Sequence, residues 1–102
     1  MPVAFIQEFK IQGDDRSTTN YDTISERLNA RAEPPEGGIF HTAGFDEEAG
    51  VFRIFDVWET RADGERFVRE RLQPILSELM ASRDDALPPD REGWYELHDL
   101  MR

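Results

Sequence analysis

The chain has 102 residues, 38% of them hydrophobic and 11% aromatic, which suits one folded domain spanning residues 1–102. Its formal charge of -10, from 22 acidic and 12 basic residues, would repel phosphate backbones and anionic lipids, so we expect neither nucleic acid nor membrane as a partner. Cysteine is absent, which excludes disulfides, thiolate nucleophiles and sulfur-bound metals.

Targeting signals are not apparent in the sequence. No stretch approaches the roughly 20 apolar residues of a membrane span. The first residues, MPVAF, lack the basic region and long apolar run of a signal peptide. We therefore predict a cytoplasmic protein.

The first half of the chain predicts three strands and one helix. Apolar alternation predicts a strand over residues 3–11, and helical spacing predicts a helix from about Thr19 to Ala32. Residues 39–45 and 51–58 are rich in β-branched and aromatic side chains, which favour strands. Five residues ending in Gly50 separate these two strands and predict a hairpin.

The second half predicts a broken helix and a last strand. Thr60 can cap a second helix, whose apolar residues recur at spacings of three and four as far as Met80. Pro74 lies within this helix and predicts a kink or break near Leu72, because proline cannot donate to the helical ladder. A final strand is expected over residues 93–100. The order βαββαβ predicts an α+β, ferredoxin-like sandwich with a four-stranded antiparallel sheet and two helices on one face.

Both faces of this sheet carry apolar side chains, although two helices cover only one face. Phe40 alternates along the second strand with Ala43 and Phe45, and Phe52 alternates with Phe55 on the third. The uncovered face would form an exposed apolar patch. We predict that a second copy of the chain covers it in a homodimer built sheet against sheet.

The run Asp56-Val57-Trp58-Glu59-Thr60 ends a strand and opens a helix that contains Phe67. With the chain length and element order, this junction resembles the antibiotic biosynthesis monooxygenase-like domains of the dimeric α+β barrel superfamily across about residues 3–100. The resemblance implies this fold. It also allows cofactor-independent oxygenation, in which the substrate's own carbanion reacts with oxygen and the protein supplies a base.

The chain departs from that superfamily in its second helix. Members that act on quinones or degrade haem commonly carry a histidine there, whereas no histidine occurs between Thr60 and Arg83. Haem therefore lacks its most direct candidate ligand, and we expect no cofactor.

His41 is the candidate general base. It lies within a strand among apolar neighbours, and the ordinary pKa of histidine is close to the working pH. The alternative is a structural histidine that forms hydrogen bonds within the sheet or at the dimer interface.

Arg53 and Asp56 are charged residues on opposite faces of the third strand, each among aromatics. Buried charges need partners. Arg53 could bind a substrate carboxylate, or it could pair with Glu8, with Glu96 or with an acid of the other subunit. The same two readings apply to Asp56.

Several aromatic residues could line a pocket for a planar substrate between sheet and helices. The candidate binding residues are Trp58, Tyr21 and Phe40, together with Trp94, Tyr95 and Phe5. The alternative is that these side chains form core, because buried area is their main contribution.

Acidic clusters at Asp14-Asp15, Asp46-Glu47-Glu48 and Asp84-Asp85 lack the spacing of a calcium loop, so we expect solvated turns and no metal site. Three functions stay open. The protein is a dimer that holds a small aromatic or hydrophobic molecule or a protein partner, a cofactor-independent monooxygenase or isomerase, or a structural or regulatory subunit without a ligand.

Overall fold

The computed structural model describes residues 1–83 and 87–101, so the Asp84-Asp85 cluster lies outside the described residues. The elements in chain order are β1 (Val3–Lys10), α1 (Thr19–Leu28), β2 (Gly38–Asp46), β3 (Val51–Trp58), α2 (Arg61–Phe67), a π-helical turn (Val68–Leu72), α3 (Gln73–Ser82) and β4 (Arg91–Glu96).

These strands form one antiparallel sheet in the order β2-β3-β1-β4. The predicted ferredoxin-like α+β fold is thereby confirmed. Several element ends differ from the prediction; the largest differences are at the end of α1 and at both ends of β4, which ends at Glu96. The first helix ends at Leu28 because Asn29 adopts a left-handed conformation with φ 50°, and its N–H bonds to the Ser25 carbonyl. The last strand begins at Arg91, which pairs with Glu8 of β1.

The second helix is continuous over residues 61–82, but it is irregular at the position that its proline predicts. The side chain of Thr60 accepts a hydrogen bond of 3.1 Å from the Asp63 N–H and caps α2. A π-helical turn follows, and Pro74 lies in the first turn of α3, where its missing N–H costs least. Met80 is 41% exposed, so it does not continue the apolar stripe to which the spacing assigned it, whereas Leu79 is buried.

The hydrophobic core lies between the sheet and α2. Val3, Phe5 and Trp58 are its buried members, and Phe67 and Trp94 pack against them. The Phe5 and Trp94 rings are stacked with centroids 4.2 Å apart. Through these contacts α2 packs directly against the sheet.

Cross-strand pairs share a face of the sheet, so the register assigns each side chain to one of two surfaces. We call the surface that carries Val3, Phe5 and Trp58 the helix face; its members also include the pairs Phe5–Asp56, His41–Asp56 and Phe5–Trp94. We call the other surface the open face; its members include the pairs Ala4–Val57, Phe40–Val57, Ala4–Tyr95 and Glu8–Arg53.

The pairing of β2 with β3 shifts by one residue near the start of β2. Gly38 pairs with Trp58, whereas Phe40 pairs with the adjacent Val57. Ile39 is the extra residue of this β-bulge, so the regular alternation of side chains along β2 is interrupted between Gly38 and Phe40.

Candidate active site

Three polar side chains from three elements meet on the helix face. His41 of β2 lies opposite Asp56 of β3, and its Nδ1 is hydrogen-bonded to Asp56 Oδ1. The other ring nitrogen, Nε2, lies 2.6 Å from the hydroxyl of Tyr21, which comes from α1. The imidazole therefore connects a carboxylate to a phenol.

The carboxylate is less accessible than the imidazole. The side chain of Asp56 is 16% exposed, whereas that of His41 is 52% exposed. A partly buried carboxylate beside an accessible imidazole orients the ring and stabilises its protonated form. The hydrogen bond to Asp56 raises the pKa of His41 above its ordinary value, against the smaller opposing effect of burial.

Tyr21 is partly buried within an aromatic cluster. Its ring contacts Phe52 edge to face with centroids 5.5 Å apart, and Phe52 contacts Phe45 in the same manner at 4.9 Å. Burial, followed by the negative charges of Asp56 and Asp22, raises the pKa of Tyr21. The phenol is therefore neutral and can donate its proton to the histidine.

Trp58 lies on the helix face two residues beyond Asp56 and is only 4% exposed. Its indole N–H has no hydrogen-bond partner among the described residues. A buried donor without a partner costs free energy. A water molecule or an acceptor atom of a ligand would satisfy it.

Arg53 and Phe40 lie on the open face, away from His41. The prediction that Phe40 lines a pocket between sheet and helices is therefore wrong, as it is for Tyr95, which pairs with Ala4 on the same open face. Within one chain neither Arg53 nor Phe40 can share a pocket with His41. Successive residues of a strand point to opposite sides of the sheet, and this separates Phe40 from His41; Arg53 is separated from Asp56, the partner of His41, in the same way.

Arg53 is engaged by acids of its own chain. Its Nε donates to Glu8 at 2.6 Å and its Nη1 donates to Asp46 at 2.7 Å, while Arg91 donates to the other Glu8 oxygen at 3.1 Å. Hydrogen bonds from Arg53 and then from Arg91 lower the pKa of Glu8. The predicted alternative of a pair with Glu8 is thus present, and a role for Arg53 in substrate binding stays a prediction.

An open depression of about 290 Å³ borders Arg53. Its lining residues are Thr42, Ala43, Gly44, Phe45, Asp46, Arg53 and Phe55. His41 does not line this depression, so the depression does not bring the predicted base together with Arg53, which is predicted to bind a substrate carboxylate.

The conjunction of His41, Asp56 and Tyr21 was not foreseen from the sequence, although each residue was singled out. A usable signal was present in the hairpin. Asp46 and Val51 form the pair that closes the hairpin. The fifth residue from Asp46 along β2 is His41, and the fifth residue from Val51 along β3 is Asp56. No comparable local count leads to Tyr21, which belongs to a separate helix.

The fold is similar to that of known structures. The βαββαβ chain with its four-stranded antiparallel sheet resembles the fold of solved antibiotic biosynthesis monooxygenase-like proteins. SnoaB, a cofactor-independent oxygenase from Streptomyces nogalater, superposes with a TM-score of 0.65 at 16% identity, covering 98% of this chain and 96% of SnoaB.

Two further solved structures have the same fold. A candidate antibiotic biosynthesis monooxygenase from Chloroflexus aurantiacus has a TM-score of 0.62 at 13% identity, covering 100% of this chain and 98% of its own. NE2512 from Nitrosomonas europaea, of unknown function, has a TM-score of 0.66 at 18% identity, covering 99% and 93%. No protein-family model and no curated protein matches the sequence.

Within the part of the chain that the structure describes, no helix is long and apolar enough to cross a membrane.

Proposed function

We propose that this protein is a cofactor-independent oxygenase of enolisable aromatic substrates, with His41 as the general base. The observation that carries the proposal is the hydrogen-bonded series Asp56–His41–Tyr21 on the helix face. An imidazole oriented by a carboxylate is the arrangement by which enzymes make histidine an effective base. The fold of SnoaB, named as a cofactor-independent oxygenase, supports the same reaction class.

The proposed reaction begins with the loss of a proton from an activated CH₂ group of the substrate. The C–H bond breaks, the proton passes to the site and is held on His41 Nε2, and the electron pair stays on the substrate as a carbanion. The imidazolium is stabilised by the negative charge of Asp56. Dioxygen then oxidises this carbon to a carbonyl, so that one oxygen atom enters the product and the other leaves as water.

The aromatic cluster around Tyr21 is suited to binding a planar substrate. Tyr21 lies beside the imidazole, Phe52 packs on Tyr21 and Phe45 packs on Phe52, and stacking on such rings favours aromatic ligands. Trp58 supplies a buried N–H that lacks a protein partner in the described residues. A substrate carbonyl oxygen is an acceptor of the kind that this donor needs.

Oxygen uptake with anthrone and with quinol substrates tests the proposal. His41→Asn removes the base and keeps a side chain that can hydrogen-bond to Asp56. We expect it to lower kcat by about 10²-fold or more, the usual contribution of a positioned base. His98→Asn makes the same change at an exposed position beyond β4 and should leave the rate within about twofold.

The alternative functions predict different results. Equal rates for wild type and His41→Asn would refute His41 as the base. An isomerase would exchange substrate hydrogen for deuterium under anaerobic conditions without later oxygen uptake. A binding or structural protein would show neither exchange nor uptake with any of these substrates.

We also propose that the protein forms a homodimer through its open face. Phe40 is 42% exposed there, with its ring 6.2 Å from that of Phe55, and Tyr95 on the same face is also exposed. In a two-fold pair these apolar side chains would cover one another, because the same patch faces itself across the axis. The exposed aromatic side chains of Phe40 and Tyr95 lie at one end of the open face, away from the charged Glu8–Arg53 pair, and they support a second copy over a charged partner.

A further inference from the structure

We infer that Tyr21, rather than the imidazole itself, is the group that takes the substrate's proton, passing its own phenolic proton to His41 in the same step. This inference rests on the proposed function and adds a second catalytic residue to it.

The ring nitrogen of His41 that would act as the base, Nε2, is already hydrogen-bonded to Tyr21. Nδ1 of His41 shares its proton with the Asp56 carboxylate, which as an ionised group can only accept. Nε2 of a neutral His41 is therefore an acceptor, and the Tyr21 hydroxyl at 2.6 Å is its donor. A substrate can reach this lone pair only through Tyr21 or by displacing it.

Displacement is opposed by the contacts that hold the Tyr21 side chain. Its ring lies parallel to the imidazole, with an interplanar angle of 3° and centroids 6.0 Å apart, and Phe52 packs edge to face on it. A ring confined by neighbours on two sides loses these contacts when it swings out.

The helix that carries Tyr21 is also tied to the rest of the helical layer. Arg83 Nη1 donates to Asn20 Oδ1 at 2.9 Å, directly beside Tyr21. Arg71 Nη2 donates to the Leu28 carbonyl at 2.8 Å at the other end of α1. At the same end, an ion pair of 2.9 Å joins Arg27 to Glu78 of α3. Contacts at both ends restrain α1 against the shift that would open Nε2.

The transfer is chemically balanced. As the substrate C–H bond breaks and leaves its electron pair on carbon, the proton bonds to the Tyr21 oxygen. The former O–H proton of Tyr21 moves to His41 Nε2, so Tyr21 ends neutral and His41 ends as an imidazolium beside Asp56. The charges that act on the phenol are Asp56, Asp22 and Arg31, and the net effect of this setting keeps Tyr21 protonated until the imidazole takes its proton.

Tyr21→Phe separates the two possible routes. If the phenol relays the proton, this variant loses about 10²-fold in kcat with KM changed by less than about threefold. If His41 acts directly, removing the hydroxyl frees Nε2, and kcat stays the same or rises. Tyr95→Phe is the matched control, since Tyr95 is the only other tyrosine and lies on the open face.

A second measurement does not depend on catalysis. In the Tyr95→Phe background, replacement of tyrosine by 3-fluorotyrosine labels Tyr21 alone. We expect the fluorine resonance to shift as His41 titrates, and the shift to vanish in His41→Asn. A resonance that ignores the His41 titration would overturn the inference, because it would show that the two groups are not hydrogen-bonded in solution.

The results of these experiments distinguish the proton relay through Tyr21 from the proposed oxygenase function on which it rests. Full activity of Tyr21→Phe beside an inactive His41→Asn refutes the relay and keeps His41 as the base. Wild-type protein without proton exchange or oxygen uptake refutes both. Parallel losses in the two variants, with coupled titration of the fluorotyrosine, support both.

Discussion

His41 and Asp56 occupy directly opposed positions on adjacent antiparallel strands, and their side chains are hydrogen-bonded on the helix face. Sheet register therefore sets this contact, and no loop is needed to bring the groups together. The hairpin closes at the Asp46–Val51 pair, where the Gly50 N–H donates to the Asp46 carbonyl at 2.9 Å. A slip of one residue would turn His41 to the open face, so the turn and the site depend on each other.

The charge state of His41 should depend on Asp56. Asp56→Asn removes the negative charge and should lower the pKa of His41, because the hydrogen bond to the carboxylate is the main cause that raises it. An NMR titration of the ring protons measures this pKa, and His98→Gln assigns the two histidines. An unchanged His41 pKa in Asp56→Asn would contradict the pairing.

The same pair should make stability depend on pH near neutrality. The folded pKa of His41 is raised above its ordinary value of 6.5, so its contribution is complete below about pH 6.5 and is lost as pH rises through the folded value. Urea unfolding of wild type and of His41→Asn, at about five pH values between 5 and 9, measures the difference between their free energies of unfolding. We expect the two proteins to differ most at the acid end. A difference that grows with pH would contradict the sign.

Glu8 should make the fold sensitive to acid in the opposite sense. Hydrogen bonds from Arg53 and Arg91 lower its pKa from the ordinary 4.5, so its contribution is present above that value and is lost as pH falls through the folded pKa. Glu8→Gln should be less stable than wild type at pH 7, with the gap closing at low pH. Glu26→Gln makes the same change at an exposed position of α1 and should shift the curve little at any pH.

Gly64 should be intolerant of a side chain. A Cβ at this buried position of α2 would lie 2.5 Å from Trp94 Cη2 and 3.1 Å from Trp58 Cδ1, so both indole rings would have to move. Gly64→Ala gains about 1 kcal/mol of helix propensity, but overpacking of this kind costs typically about 1–3 kcal/mol. We expect net destabilisation by urea unfolding.

The control for this variant is Gly93→Ala. An added Cβ there meets no atom within 4 Å, so the same chemical change should leave stability within about 0.5 kcal/mol. Equal midpoints for the two variants would show that α2 does not pack on the tryptophans as closely as described.

The proposed dimer interface can be tested with two matched surface changes. Phe40 on the open face is 42% exposed and Met80 on α3 is 41% exposed. Phe40→Arg should dissociate the dimer, because it places two like charges near the two-fold axis of an apolar contact. Met80→Arg changes an equally exposed residue on the helical layer and should not.

Sedimentation at micromolar concentration measures the result. Wild type and Met80→Arg should sediment as a dimer, and Phe40→Arg as a species near 11.8 kDa. A wild-type protein that sediments as a monomer at this mass would refute the interface.

Local signals were sufficient to predict the order of elements. The alternation of Val3, Phe5 and Phe9, the cap at Thr60 and the helix break at Pro74 each depend on a few neighbouring residues, and the structure has a strand, a cap and a π-helical turn at these places. The end of α1 at Asn29 differs from the prediction because it depends on the backbone conformation of one residue. The start of β4 at Arg91 differs because it depends on pairing with another strand.

The sequence by itself also determined that His41 and Phe40 lie on opposite faces, because side-chain direction alternates along any strand. Which of those faces meets the helices was decided only by the tertiary structure. It set Tyr21 of a distant helix against His41, and it set Arg53 against Glu8 across the other face. Contacts between elements far apart in the chain follow from how helices pack on the sheet, and strand periodicity carries no information about that packing.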